Sequence, residues 1–553
     1  MTKTIIHHIY LILLISFASW SCGPQKPVAD AVYYNGIVYT VDDSFEVVTA
    51  FAVKDGKIIE TGSDAEILRY ESKVQTDLKG KAVYPGFHDG HCHFFGYGLD
   101  LKKISLVGTE SFESILDTLV KYRNQKTGGW IFGRGWDQND WPVKEYPDNS
   151  KLDSLFPDEP VFLLRIDGHA AIVNTKAMQL AGIDPMTKVT GGVIEVKNNK
   201  PTGVLIDAAV ELVQERIPRH STQESVTALI EAQKNCFEVG LTMVTDAGLI
   251  SGGLDLETIQ VIDSLQSAGK IQMRVNAFAT VLEIEKYRNR KKSWSESLQV
   301  CGFKVYGDGA LGSRGALLKQ PYSDKPGHFG FLIHSESKLD SIAKAIASIG
   351  YQMNTHCIGD SAHKLLLEIY KKHTSMSKDH RWRIEHAQVI DTADYGLYVG
   401  SGVIPSVQPV HATSDMYWAE TRLGSSRMVG AYAYKTLIEK SGLIIGGSDF
   451  PVEHINPLFG FYAAVTRKDQ KGFPDNGFLP DQKISREDAL RSMTIWPAFG
   501  AFMENQTGSI EPGKNADFVI LDQDIMKMDE KDIWKAQVLE TYIGGKKVFG
   551  RSR

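Results

Sequence analysis

Short apolar runs, each closing on a polar or ionisable residue and each followed by helix-like sequence, recur through the middle of the chain. They read KAVYPGFHDGHCH at 81–93, GLTMVTDAG at 240–248, QMRVNAFAT at 272–280 and GFKVYGDG at 302–309. Four more follow: GYQMNTHCIGD at 350–360, RWRIEHAQ at 381–388, GVIPSVQP at 402–409 and LIIGGSDFP at 443–451. Most neighbours in this series are separated by enough residues for a crossover helix and a loop. Eight such units predict an α/β fold, a (β/α)8 TIM-type barrel rather than an open sheet. The gap after the first run is far longer than the others. It contains GGWIFGRGWDQNDWP and the hairpin-like TGGVIEVKNNKPTGVL, which predicts an inserted subdomain over about 110–220.

Both ends carry a different pattern. VYYNGIVYTVD and FAVKDGKIIETG hold Asn35-Gly36 and Asp55-Gly56, strong hairpin signals between β-branched runs. The C-terminal stretches GSIEPGKNADFVILD and VLETYIGGKKVFG return to that style. Residues 30–84 and 500–553 are therefore expected to combine into one small β-sandwich, with the barrel over 85–499.

Residues 1–22 stand apart. Ile9 to Ala18 reads IYLILLISFA, with Lys3 before it and Ser19-Trp20-Ser21-Cys22 behind. A spanning helix needs about 20 apolar residues, so this shorter run is expected to be a signal-peptide core. Cys22, followed by Gly23-Pro24, resembles a bacterial lipoprotein cleavage site, although Ser19 and Trp20 are unusual for one. An ordinary secretory signal with an incidental cysteine is the alternative. Lipidation of Cys22 would put the mature protein outside the cytoplasm, in the periplasm or on the outer membrane, with the lipid as its sole membrane contact.

Composition changes little. The 553 residues carry 61 Lys+Arg against 67 Asp+Glu, a net charge of −6, which offers no basic field for counterion release and argues against a nucleic-acid partner. Cys92, Cys236, Cys301 and Cys357 show no paired spacing, so no disulfide framework is expected. Whether the protein is a homo-oligomer is left open by these patterns.

The histidines carry the chemistry. His91 and His93 are alternate residues of a strand and face one side, so both imidazoles can reach one ion. His356, His386 and Asp449 each fall at the C-terminal end of a different strand candidate. In a parallel barrel those ends converge on one face. Four histidines and a carboxylate suit Zn²⁺ or a similar first-row ion.

These residues resemble the amidohydrolase superfamily, in its third amidohydrolase branch, which includes N-substituted formamide deformylases. The resemblance runs from Tyr33 to Gly550 and rests on PGFHDGHCH, KVYGDGALGSR, the isolated His356 and His386, GGSDFP, and TGSIEPGKNADFVILD. It implies a barrel-mouth site for one or two divalent ions, with His91 and His93 on one metal and His356 and His386 on the other. It implies that Asp449 touches the catalytic metal and handles protons, and that Lys304 is carboxylated to bridge the pair. An unmodified Lys304 that ends its strand or pairs with Asp308 is the alternative. The activity implied is hydrolysis, by metal-activated water, of a non-peptide C–N bond in a small-molecule amide, N-acyl or N-formyl compound. A lactone, carbamate or phosphoester hydrolase on the same metals, and a non-catalytic small-molecule-binding lipoprotein, are the competing functions.

Weaker candidates surround this set. His169, in RIDGHAAIVN, resembles a family segment that faces the pocket. Arg314 in the Gly-rich DGALGSRGA would approach a substrate anion, or else the segment is a plain structural loop. Trp136, with Trp141, Phe94, Phe95 and Tyr97, would line an apolar cleft or belong to the core. His411 follows the seventh strand candidate and is not assigned to metal.

Overall fold

A computed structural model describes residues 26–123, 129–218, 220–249, 252–375 and 379–551. Residues 1–22, expected to be an export segment with Cys22 as the lipidation site, lie outside the described residues.

All eight apolar runs are strands of one parallel sheet, in sequence order. They are β1 (Phe87–Cys92), β2 (Leu241–Asp246), β3 (Arg274–Thr280), β4 (Leu298–Tyr306), β5 (Gln352–Cys357), β6 (Arg383–His386), β7 (Ile404–Val407) and β8 (Ile445–Gly446). Neighbours pair in parallel from β1 to β8. The ring closes between its first and last strands, where Asp449 N–H donates to His91 O at 2.8 Å and His93 N–H to Phe450 O at 2.8 Å. The protein is thus an α/β barrel of the TIM type. Closure explains one glycine: a Cβ on Gly447 would lie 2.5 Å from the backbone nitrogen of His91. β4 begins earlier than the pattern GFKVYGDG suggested, because Leu298 to Cys301 are apolar or buried and continue the pairing with β3.

The chain ends build two further sheets. One has four strands, from Lys57–Gly62, Ala50–Lys54, Val28–Tyr34 and Glu71–Asp77. The other has six, and in it Phe518–Leu521 from the C-terminal end pairs with Ala82–Pro85 from the N-terminal end. Aromatic rings fill the space between the sheets: Tyr33 stacks on Phe51 at 4.8 Å, Phe518 on Tyr542 at 4.3 Å, and Tyr33 meets Phe518 edge-on at 5.0 Å. Such pairs favour offset or edge-to-face geometry because the ring faces are electron-rich and the edges are not. Arg274 of β3 donates from Nε to Asp517 Oδ2 at 2.5 Å and fastens this layer to the barrel wall.

Between β1 and β2 a six-stranded mixed sheet runs from Ile104–Ser105 to Lys200–Asp207. Trp136 and Trp141 were candidates for a substrate cleft, but they belong to this sheet's core. Trp136 is 0% exposed, its indole N–H donates to Leu163 O at 2.8 Å, and its ring lies 5.9 Å from that of Trp141. With the polar edge satisfied and the ring enclosed, Trp136 has no surface to offer a ligand. Phe94 and Phe95 are likewise buried beneath the barrel mouth.

Candidate metal centre

The barrel delivers the ligand-type side chains to one end because parallel strands present their C-termini together. His91 lies in β1, and His93 caps the helix Phe94–Asp100 that follows it. Lys304 lies in β4, His356 in β5, and His386 ends β6. Asp449 follows β8. Both His386 (φ 74°) and Asp449 (φ 60°) adopt positive φ, an uncommon backbone state that clusters at functional sites.

One donor atom each from His91, His386 and Asp449 lies within 4.8 Å of the others. His93 Nε2 is 3.2 Å from Asp449 Oδ1, and His91 Nε2 is 3.5 Å from the same oxygen. The His356 ring sits 4.6 Å from that of His386. Lys304 Nζ stands 3.3 Å from His91 Nε2, among the ligand-type nitrogens rather than beside Asp308. Asp308 instead accepts backbone N–H groups from Leu317, Ile358 and Gly359. His411 stacks 6.0 Å from His386, with Nε2 4.0 Å from Asp449 Oδ2.

Outer partners fix which nitrogen each ring turns inward. His91 Nδ1 meets Glu385 Oε2 at 2.5 Å, His93 Nδ1 meets Gly248 O at 2.7 Å, and His386 Nδ1 meets Gln408 Oε1 at 2.7 Å. Three acceptors therefore take Nδ1–H and leave Nε2 as the free donor atom, the arrangement metal-binding histidines require. Burial pushes His91 down to about 4, with Lys304 adding to the effect, and it holds His356 and His386 well below the ordinary histidine range. Neutral imidazoles with exposed lone pairs result. For Asp449, burial raises the carboxyl, but the close approach of His93 and the nearby His91 and His386 imidazoles outweigh it and hold the group well below its usual value. Burial also lowers Lys304.

His356 Nε2 and Asp449 Oδ1 are buried without a hydrogen-bond partner among the described residues. Orphaned buried polar atoms are costly, and here they converge with the other ligand-type donors. Imidazole nitrogens and a carboxylate are the donors first-row divalent ions prefer, so the residues fit such an ion.

The two weaker candidates divide. Arg314 is paired with Asp324, donating from Nη2 at 2.8 Å and Nε at 3.1 Å. His169 does approach the centre, with its ring 4.7 Å from that of His356.

Sequence reasoning missed the support behind the ligands. Arg383 and Glu385 are both 0% exposed, and Arg383 Nε is 2.7 Å from Glu385 Oε1, so an ion pair stands beneath His91. The signal was present: Arg383 and Glu385 are oppositely charged residues at alternate positions of a strand and face the same way. Gln408, just past β7, gave no comparable signal.

A sequence model of the amidohydrolase family matches residues 75–549. "Protein LONG AFTER FAR-RED 3" of Arabidopsis thaliana is 34% identical over 95% of this chain and 92% of its own length. "N-substituted formamide deformylase" of Arthrobacter pascens is 26% identical over 93% of this chain and 97% of its own. An uncharacterised metal-dependent hydrolase from Pyrococcus horikoshii superposes with a TM-score of 0.73 at 28% identity, covering 90% of this chain and 99% of that one.

Proposed function

We propose that this chain, which belongs to the amidohydrolase family and is a metal-dependent hydrolase, cleaves a non-peptide C–N bond of a small-molecule amide, most simply an N-formyl or N-acyl amine. The observation that carries this reading is the convergence of Nε2 atoms and Asp449 at the barrel mouth, with each supporting Nδ1 already committed outward. The formamide deformylase relative supports the choice of bond.

His91, His93 and Asp449 would hold one divalent ion, and His356 and His386 a second. Zn²⁺ suits the donor set. A bound divalent ion supplies Lewis acidity, polarising a carbonyl and making water nucleophilic at neutral pH. Lys304, whose amine burial favours in the uncharged form and whose Nζ is 3.3 Å from His91 Nε2, would add CO₂ with loss of one N–H proton and so supply an anionic carbamate to the two ligand groups. Asp449, kept ionised, accepts a proton from the attacking water at its carboxylate and passes it to the departing nitrogen. The amine product leaves protonated, and the acid product as its carboxylate.

A purified chain treated with a chelator is expected to lose turnover and to regain it on addition of Zn²⁺. The assay is a panel of N-formyl, N-acetyl and longer N-acyl amines and amino acids, read by amine release. Two ions per chain by elemental analysis would accompany a carboxylated Lys304, and a single ion would remove that part. A metal-loaded enzyme silent on every amide but active on lactones or phosphoesters overturns the choice of bond.

Residues 1–22 remain part of the proposal as an export segment, with Cys22 as the lipidated residue and the barrel held outside the cytoplasm. Labelled palmitate should enter the wild-type chain and not Cys22→Ala in a bacterial host. Equal labelling of both would refute the anchor.

A further inference from the structure

The inserted sheet supplies a histidine that is supported as the ligand-type histidines are. His169 lies between the strands Val161–Arg165 and Ala170–Val173, and its Nδ1 is 2.6 Å from Asp207 Oδ1. That contact uses the nitrogen that His91, His93 and His386 also turn outward, and it leaves Nε2 on a ring lying 4.7 Å from His356 and 6.2 Å from Tyr306. The Asp207 side chain is 0% exposed and that of His169 11% exposed, so the pair is enclosed with one edge open.

Asp207 is held in an unusual state. It ends the strand Lys200–Asp207 with φ 49° and ψ −125°, a backbone conformation that non-glycine residues rarely adopt. Such strain persists only where surrounding contacts over-determine it. One constraint is local, since Asp207 N–H donates to His169 O at 2.8 Å. The other comes from the Gly-rich segment after β4. A Cβ on Gly309 would lie 2.5 Å from Asp207 Oδ2 and 2.7 Å from Oδ1, and a Cβ on Gly315 would lie 2.4 Å from Oδ2. Neither glycine has a positive φ, so room for the carboxylate, not backbone freedom, is what requires glycine at these positions. Gly315 N–H donating to Ala310 O at 2.9 Å folds the segment into a socket.

We propose that Asp207 is a positioning residue that aims the Nε2 edge of His169 at the reacting group, and that Gly309 and Gly315 form the socket that seats it. The socket would couple the insertion to the barrel strand that carries Lys304. This rests on the hydrolase reading above for what the reacting group is, but not for the aiming itself.

Imidazole ¹⁵N spectra of the full-length protein test the aiming without any substrate, with His169→Gln assigning the resonance. Asp207→Asn and Gly315→Ala should both shift the His169 nitrogens and leave metal content unchanged. Unshifted nitrogens in both variants overturn the proposal. Steady-state kinetics on whichever amide of the panel is turned over supply the second measurement. Asp207→Asn and His169→Gln should each lower kcat about 10²-fold with KM within about threefold, as a misplaced group near the reacting atoms does. The double variant should be no worse than either alone. Unchanged kcat in His169→Gln, or a loss confined to KM, overturns the catalytic use of the pair. If no amide is turned over at all, the choice of bond fails, and the ¹⁵N shifts still decide the aiming.

Discussion

Asp449→Asn is expected to lower kcat by about 10³-fold or more while most of the bound metal is retained, since a positioned proton-transfer group contributes roughly 10²–10⁴-fold and this one serves two transfers. The substitution is conservative in shape. Asparagine tolerates the positive φ of 60° at this position, and the backbone bond from residue 449 N–H to His91 O at 2.8 Å is independent of the side chain. What changes is charge and basicity: an amide oxygen can still face His93 Nε2, now 3.2 Å from Asp449 Oδ1, but it cannot accept a proton from water near neutral pH. Elemental analysis separates the two ways the variant can fail. Near-normal metal with lost turnover supports Asp449 as the proton carrier. Lost metal with lost turnover makes Asp449 chiefly a ligand. Wild-type kcat in a metal-loaded variant would remove Asp449 from the mechanism.

The barrel was legible because its strands are buried and carry apolar runs, several of which lead into a polar residue at the mouth. His91, His93, His356, His386 and Asp449 stood out for the same reason: polar side chains at the ends of apolar strands. What lay beyond reach were contacts between segments distant in sequence. Nothing near His169 announces that Asp207 will seat it, and nothing in DGALGSRGA says that two of its glycines leave room for a carboxylate from the insertion. The pairing of Arg314 with Asp324, ten residues on, is likewise not announced by the motif. Trp136 failed because aromatic composition does not distinguish the lining of a cleft from the core of a second sheet.

Glu385 should show the second large effect, divided between metal affinity and stability. Its carboxylate is 0% exposed and sits between two partners, His91 Nδ1 at 2.5 Å from Oε2 and Arg383 Nε at 2.7 Å from Oε1. Arg383 is itself 0% exposed, and its Nη2 also donates to Gly90 O at 2.8 Å and Ser406 Oγ at 2.9 Å. Despite the cost of burial, the Arg383 charge and the hydrogen bonds from His91 and Arg383 keep Glu385 ionised far below the usual carboxylate range. In Glu385→Ala the guanidinium would be left buried without its counter-charge, which costs about 3–5 kcal/mol when one partner of such a pair is removed. Urea unfolding of the metal-free protein should show that loss. Glu385→Gln isolates the other function, because an amide oxygen can still accept from Nδ1–H while the negative charge that makes the imidazole a stronger donor is gone. Outer partners of ligand histidines typically carry roughly 10–100-fold in metal affinity, and competition with a chelator should reveal a weakening of that order in Glu385→Gln. Unchanged metal affinity there, alongside a destabilised Glu385→Ala, would make the carboxylate a counter-ion for Arg383 alone and leave His91 oriented by packing.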